Sequence, residues 1–164
     1  MKNVYLIGGT MGVGKTTTCQ LLKTKLNNSV FLDGDWCWDM HPFQVTVETK
    51  KMVIDNICYQ LNNFIQCSAY DNIIFCWVMH EQEIISNILD KLDIEGCNIK
   101  AISLICNQQT LLKRLKKDVT SGIRTVDTID RSMDYLPLYE QLHTTKIDVS
   151  EISPTEVVEQ IMKL

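Results

Sequence analysis

The sequence predicts a three-layer α/β fold, a five-stranded parallel sheet with helices on both faces. Apolar runs of strand length alternate with helix-period segments along all 164 residues, and such alternation argues for parallel strands joined by helical crossovers. The runs are near-continuously apolar, as in residues 72–79, Asn-Ile-Ile-Phe-Cys-Trp-Val-Met, which is expected of strands covered on both faces. A glycine-rich phosphate motif stands directly after the first run.

That first run covers residues 2–7, and Gly9-Thr10-Met11-Gly12-Val13-Gly14-Lys15-Thr16 follows it. The octet satisfies G-x-x-x-x-G-K-[ST], the P-loop. Glycines let successive N–H groups turn around an anion, and the helix beginning at the loop's end adds its positive dipole end. Gly9, Met11, Gly12, Val13, Gly14, Lys15, Thr16 and Thr17 are therefore the expected phosphate-binding residues. Lys15 reaches the β- and γ-phosphates, and the Thr16 hydroxyl suits Mg²⁺. A nucleoside triphosphate and Mg²⁺ are the implied ligands.

A helix over 16–26 leads to a second strand at 29–32, ending in Asp33-Gly34-Asp35. Residues 36–43 read as an irregular aromatic segment containing Pro42, and 44–67 as a long helix with Val53, Ile57, Leu61 and Phe64/Ile65 on its apolar stripe. The third strand, 72–79, precedes a helix over 81–93 that Gly96 ends. A fourth strand occupies 99–106. Leu111, Leu112, Leu115 and Val119 mark a further helix, closed by Gly122. Residues 123–128 read as a mobile loop and 129–142 as helix. A fifth strand spans 145–149, and Ser153-Pro154-Thr155-Glu156 is a capping box opening the last helix. Ligands in such sheets sit at the carboxyl ends of the strands, so 8–16, 33–38, 77–81 and 150–152 share one rim.

The formal net charge of −4 gives no general attraction for nucleic acid or anionic membrane. No apolar run approaches the roughly 18 residues of a membrane helix. The seven cysteines are odd in number and lack C-x-x-C spacing, which favours reduced, buried thiols. A cytoplasmic protein without nucleic-acid, membrane or obligate protein partner is expected. No His/Cys spacing suggests zinc.

Asp33 and Asp35, two residues apart at a strand end, can divide labour. One supports Mg²⁺; the other orients or deprotonates an attacking hydroxyl. Asp35 is assigned as base and Asp33 as metal-side carboxylate, although the spacing alone also admits the reverse. As a bare dipeptide, Asp-Gly is equally an ordinary turn.

The P-loop after the first strand, the Asp-x-Asp after the second and the arginine-bearing segment before the fifth resemble the small-molecule kinases of the nucleoside-monophosphate-kinase fold. Shikimate, gluconate and adenylate kinases and the chloramphenicol and tunicamycin resistance proteins are of this kind. The resemblance implies the P-loop NTPase fold with strand order 2-3-1-4-5. It also implies a mobile lid at about 116–130, an acceptor region at about 34–66, and transfer of the ATP γ-phosphoryl group to a small acceptor. By the same resemblance Arg114 stands for the helix arginine near adenine, and Arg124 and Arg131 flank the lid; each of the three is otherwise ordinary solvated charge. Two departures stand out. Many relatives carry an arginine where this chain has Asp118, and no Asp follows the third strand.

All three arginines fall within 114–131. Arginine's bidentate fork is the usual tool for holding an acceptor's phosphate, and the only fixed cations from Asp33 to Lys100, namely Lys50, Lys51, Lys91 and Lys100, fall on helices or at a strand's amino end. Asp33, Asp35, Trp36, Trp38, Trp77 and His80 are the expected acceptor-side residues. Each tryptophan also fits a core position. A neutral or cationic, hydroxyl-bearing acceptor (a metabolite, nucleoside or antibiotic) is expected. A nucleotide acceptor, or a regulatory P-loop module with slow hydrolysis, are the alternatives. Against the latter, no Asp-x-x-Gly stands directly after the third strand.

Overall fold

The computed structural model describes residues 1–164. Its five strands are β1 (Asn3–Gly8), β2 (Ser29–Asp33), β3 (Asn72–Trp77), β4 (Asn98–Ile105) and β5 (Thr145–Asp148), all parallel, in the order β2-β3-β1-β4-β5. This is the expected P-loop NTPase-like α/β fold. Val4 and Leu6 of β1 face one core, with Ile73, Phe75 and Trp77 of β3; Tyr5 and Ile7 face the other, with Ile74 and Cys76. Burial on both faces is why these strands carry almost no polar residue.

The helices are α1 (Lys15–Lys25), α2 (Val47–Gln66), α3 (Gln82–Leu89), α4 (Gln108–Thr120), α5 (Asp127–Tyr135) and α6 (Pro154–Met162). α2 starts where Thr46 and Thr49 cap each other reciprocally, and α6 where Ser153 and Glu156 do the same. The structure differs from the sequence reading in three places. The helix expected over 129–142 is broken: α5 ends at Tyr135 and a 3-10 segment, Leu136–Gln141, takes over, because Pro137 has no N–H to continue the ladder. The loop expected at 123–128 lies two residues earlier, at 121–126, since Thr128 and Ile129 N–H groups already bond back to Thr125 and Val126. Residues 34–37, expected to be irregular beyond the turn, form a 3-10 turn capped by Asp33.

All seven cysteines are free, five of them buried. No helix is long and apolar enough to cross a membrane. The register Gly8↔Trp77 and Asp33↔Cys76 brings the P-loop, the Asp-Gly-Asp turn and the end of β3 to one rim.

Candidate active site

The P-loop leaves β1 at Gly8 and enters α1 at Lys15 through Gly14, whose φ is 107°. At Gly12, with φ 81°, an added Cβ would lie 2.6 Å from Leu115 Cδ2, so the loop presses on α4 where only glycine fits. Lys15 Nζ donates to the carbonyls of Gly9 at 2.7 Å and Thr10 at 2.9 Å. Burial lowers its pKa below the ordinary 10.5, opposed by the nearby negative groups, Asp35 and Asp33 among them. A triphosphate's oxygens would offer this cation stronger acceptors than carbonyls.

A row of hydrogen bonds runs across the rim from the loop. Thr16 Oγ1 donates to Asp33 Oδ2 at 2.8 Å. Asp33 Oδ1 accepts from the Asp35 N–H at 3.1 Å, and Asp35 Oδ1 accepts from the Trp77 indole Nε1–H at 3.1 Å. One oxygen of Asp35 thus remains for a ligand. Asp33 is only 6 % exposed. Beneath the row lies Gly34, where an added Cβ would meet Trp77 Cγ at 2.5 Å. That glycine serves as a floor for the indole that holds Asp35, rather than for turn geometry.

The Thr16 hydroxyl and the Asp33 carboxylate suit Mg²⁺, which keeps several waters and takes only one or two carboxylates alongside substrate phosphates. No cluster of three His, Cys, Asp or Glu side chains offers a fuller cage.

The row opens into a cavity of about 990 Å³ whose lining includes Met11, Lys15, Thr16, Asp33, Asp35, Trp38, Trp77, His80, Arg124 and Arg131. The aromatic wall is built edge to face, Trp38 against Trp77 at 5.7 Å and Phe43 against Trp38 at 4.9 Å between centroids. His80 stacks flat on Tyr135 of α5, 4.0 Å apart. Its Nε2 lies 3.4 Å from Glu81, its Nδ1 has no partner, and burial lowers its pKa. Arg124 pairs with Asp118 at 3.1 Å and Arg131 with Asp127 at 3.5 Å.

Among the expected catalytic and acceptor-side residues, two stand apart from this cavity. Trp36 is 56 % exposed and packs on Phe31 instead: in a 3-10 turn, residues two apart point to different sides, so Trp38 faces the cavity and Trp36 does not. Arg114 reaches behind the P-loop, donating to the carbonyls of Val13 and Val149, each at 3.0 Å. The lysines also differ from expectation, because Lys50, Lys51 and Lys91 border the cavity. Asp55 neutralises two of them, at 2.5 Å from Lys51 and 2.6 Å from Lys91. Lys50 has no ion-pair partner, but Asp39, Glu81 and Glu83 line the same half.

Sequence reasoning missed Ser132. Thr10 Oγ1 lies 2.8 Å from the Ser132 carbonyl and 2.9 Å from its hydroxyl, and Ser132 Oγ donates to the Met11 carbonyl at 2.6 Å. The signal was present: Ile129, Ser132, Met133 and Leu136 occupy i, i+3, i+4, i+7 positions, a helix stripe with serine in an apolar slot.

A family model described as AAA domain matches residues 6–131. A search of curated proteins by sequence found no match. Among solved structures, the tunicamycin resistance protein of Deinococcus radiodurans superposes with TM-score 0.76 at 20 % identity, over 99 % of this chain and 95 % of that one. A gluconokinase from Sinorhizobium meliloti 1021 gives 0.71 at 14 %, over 98 % and 90 %. Shikimate kinase from Aquifex aeolicus gives 0.62 at 18 %, over 98 % and 94 %. At these identities the likeness is one of fold.

Proposed function

For a chain that belongs to the AAA domain family, with the fold that kinases share, we propose an ATP- and Mg²⁺-dependent phosphotransferase that moves the γ-phosphoryl group to a hydroxyl of a small, non-anionic acceptor. The observation that carries this reading is the row Thr16–Asp33–Asp35–Trp77, which aims one free carboxylate oxygen into the cavity beside Lys15. A pure binding loop has no use for a second carboxylate fixed by an indole.

The loop's N–H groups and Lys15 hold the triphosphate. Thr16 and Asp33 would hold Mg²⁺, which would neutralise phosphate charge. Asp35 orients the acceptor hydroxyl and takes its proton as the oxygen bonds to the γ-phosphorus and the bond to ADP breaks. Arg124 and Arg131 face the same space and would balance charge on the transferring group, with 121–126 as the moving part of the lid. The acceptor would rest on Trp38, Phe43 and Trp77, within residues 34–66 and the end of β3. Aromatic faces and the carboxylates Asp39, Glu81 and Glu83 favour a neutral or cationic acceptor. The unpaired Lys50 is the one observation favouring a nucleotide acceptor instead.

The test is a coupled ADP-release screen against sugars, nucleosides, aminoglycoside-like compounds and nucleoside monophosphates, with Lys15→Ala as blank. Asp35→Asn should keep ATP affinity and lower turnover about 100- to 10,000-fold. Turnover of nucleoside monophosphates alone would move the assignment to a nucleotide kinase. Indifference to Asp35→Asn would leave a regulatory nucleotide-binding module.

A further inference from the structure

The backbone of the phosphate loop is held from behind at two peptide groups. A trans peptide points its C=O and the next N–H in opposite directions. The Met11 carbonyl is bonded by the Ser132 hydroxyl at 2.6 Å, which turns the Gly12 N–H away from α5 and into the loop. The Val13 carbonyl is bonded by the Arg114 guanidinium at 3.0 Å, which turns the Gly14 N–H the same way. The N–H groups of Gly12, Gly14, Lys15, Thr16 and Thr17 donate to no acceptor within the protein. Glycine at 12 and 14 leaves these planes free to rotate, with φ 81° and 107°; something else must stop them.

Ser132 is fully buried, as is Thr10. Thr10 closes the node by donating through Oγ1 to Ser132. Arg114 uses its second nitrogen on the Val149 carbonyl, so the clamp on Val13 is anchored to the end of β5. Neither side chain offers its polar atoms to the cavity side of the loop.

We propose that Ser132 and Arg114 are positioning residues that pre-set the Gly12 and Gly14 N–H groups for phosphate, acting through the Met11 and Val13 carbonyls rather than on the nucleotide. This rests on the reading that the loop takes a nucleotide's phosphates. Preorganised donors bind an anion without the entropy loss of freezing a glycine loop. Removing the Ser132 hydroxyl frees the 11–12 peptide and leaves the part-buried Met11 carbonyl without its partner.

The experiment measures ADP and inorganic tripolyphosphate binding by calorimetry, with thermal unfolding recorded alongside. Ser132→Ala should weaken both ligands about tenfold. Arg114→Gln should do the same, and its effect on tripolyphosphate, which has no base, separates loop positioning from contact with adenine. Ser103→Ala is the packing control. It removes an equally buried hydroxyl, bonded to Thr144 at 2.7 Å, and should lower thermal stability without changing either affinity. Unchanged tripolyphosphate affinity in Ser132→Ala and Arg114→Gln, or an equal loss in Ser103→Ala, overturns the proposal while leaving the site reading intact. Wild-type protein that binds neither ADP nor tripolyphosphate overturns both.

Discussion

The two walls of the cavity are built by different means. On the wall proposed for the donor, side chains are hydrogen-bonded and several are sealed: Thr10 and Ser132 are fully buried, Asp33 is 6 % exposed, and Lys15, Thr16 and Arg114 all have partners within 3.0 Å. On the acceptor wall, contact is aromatic edge to face, with Phe43 54 % and Val45 53 % exposed. Under the proposed function that wall takes a triphosphate, the same object in every such protein, so it can be fixed by backbone and short polar bonds. An acceptor is matched by shape, and beyond Trp77, whose indole holds Asp35, that side is left to the rings of Trp38 and Phe43, which shift without breaking a hydrogen bond.

The seam between the walls is Gly34, and breaking it gives the largest expected effect. A methyl at position 34 would meet three Trp77 atoms at 2.5, 2.7 and 3.0 Å. The indole must move, and with it the N–H that holds Asp35. Gly34→Ala should cost about 1–3 kcal/mol in stability from overpacking and roughly 100-fold in turnover from a displaced base. ADP affinity should survive, because Lys15 and Thr16 are untouched. Denaturant unfolding and single-turnover kinetics on one preparation test this; full activity would show that the indole does not set Asp35.

Trp38→Ala tests the acceptor wall alone. It removes the ring that bridges Phe43 and Trp77, two edge contacts of about 0.5–1.5 kcal/mol each. The acceptor KM should rise about tenfold with the ATP KM unchanged. If both KM values rise together, the two walls are not separable and the contrast between them fails.

The same contrast explains what could be read without the fold. Gly9 to Thr16 is contiguous, so the donor loop is legible as a string, and the alternation of apolar runs carries the layer order. Asp33 and Asp35 gain meaning from standing on the P-loop's rim. Trp36 and Trp38 were indistinguishable by composition; only the 3-10 turn at 34–37 separates the ring on Phe31 from the one in the cavity. Lys50 and Lys91 reach the cavity because α2 and α3 close over it, which spacing along the chain does not encode. Ser132 meets Met11 from 121 residues away, and a serine in a helix reads as surface until its place in the apolar stripe of α5 is noticed. The apolar period over 129–142 predicts one continuous helix, but Pro137, with no N–H, ends the α-helical ladder.

The smallest expected effect tests where the walls meet on the lid side, at the flat stack of His80 on Tyr135. Burial holds the folded imidazole's pKa below the ordinary 6.5; Glu81 opposes this and Lys50 adds to it. The unfolded chain therefore takes up a proton near pH 6.5 that the folded chain still refuses. Stability contributed by the neutral ring is present above that pH and is lost as pH falls from 6.5 towards the folded value. His80→Phe keeps a ring on Tyr135 and removes the titration. Wild-type unfolding temperature should drop between pH 7.5 and 5.5 by a few degrees more than that of His80→Phe. Parallel curves for the two proteins would mean that His80 takes its proton as readily folded as unfolded, and that the stack is no drier than the exposed aromatic wall opposite.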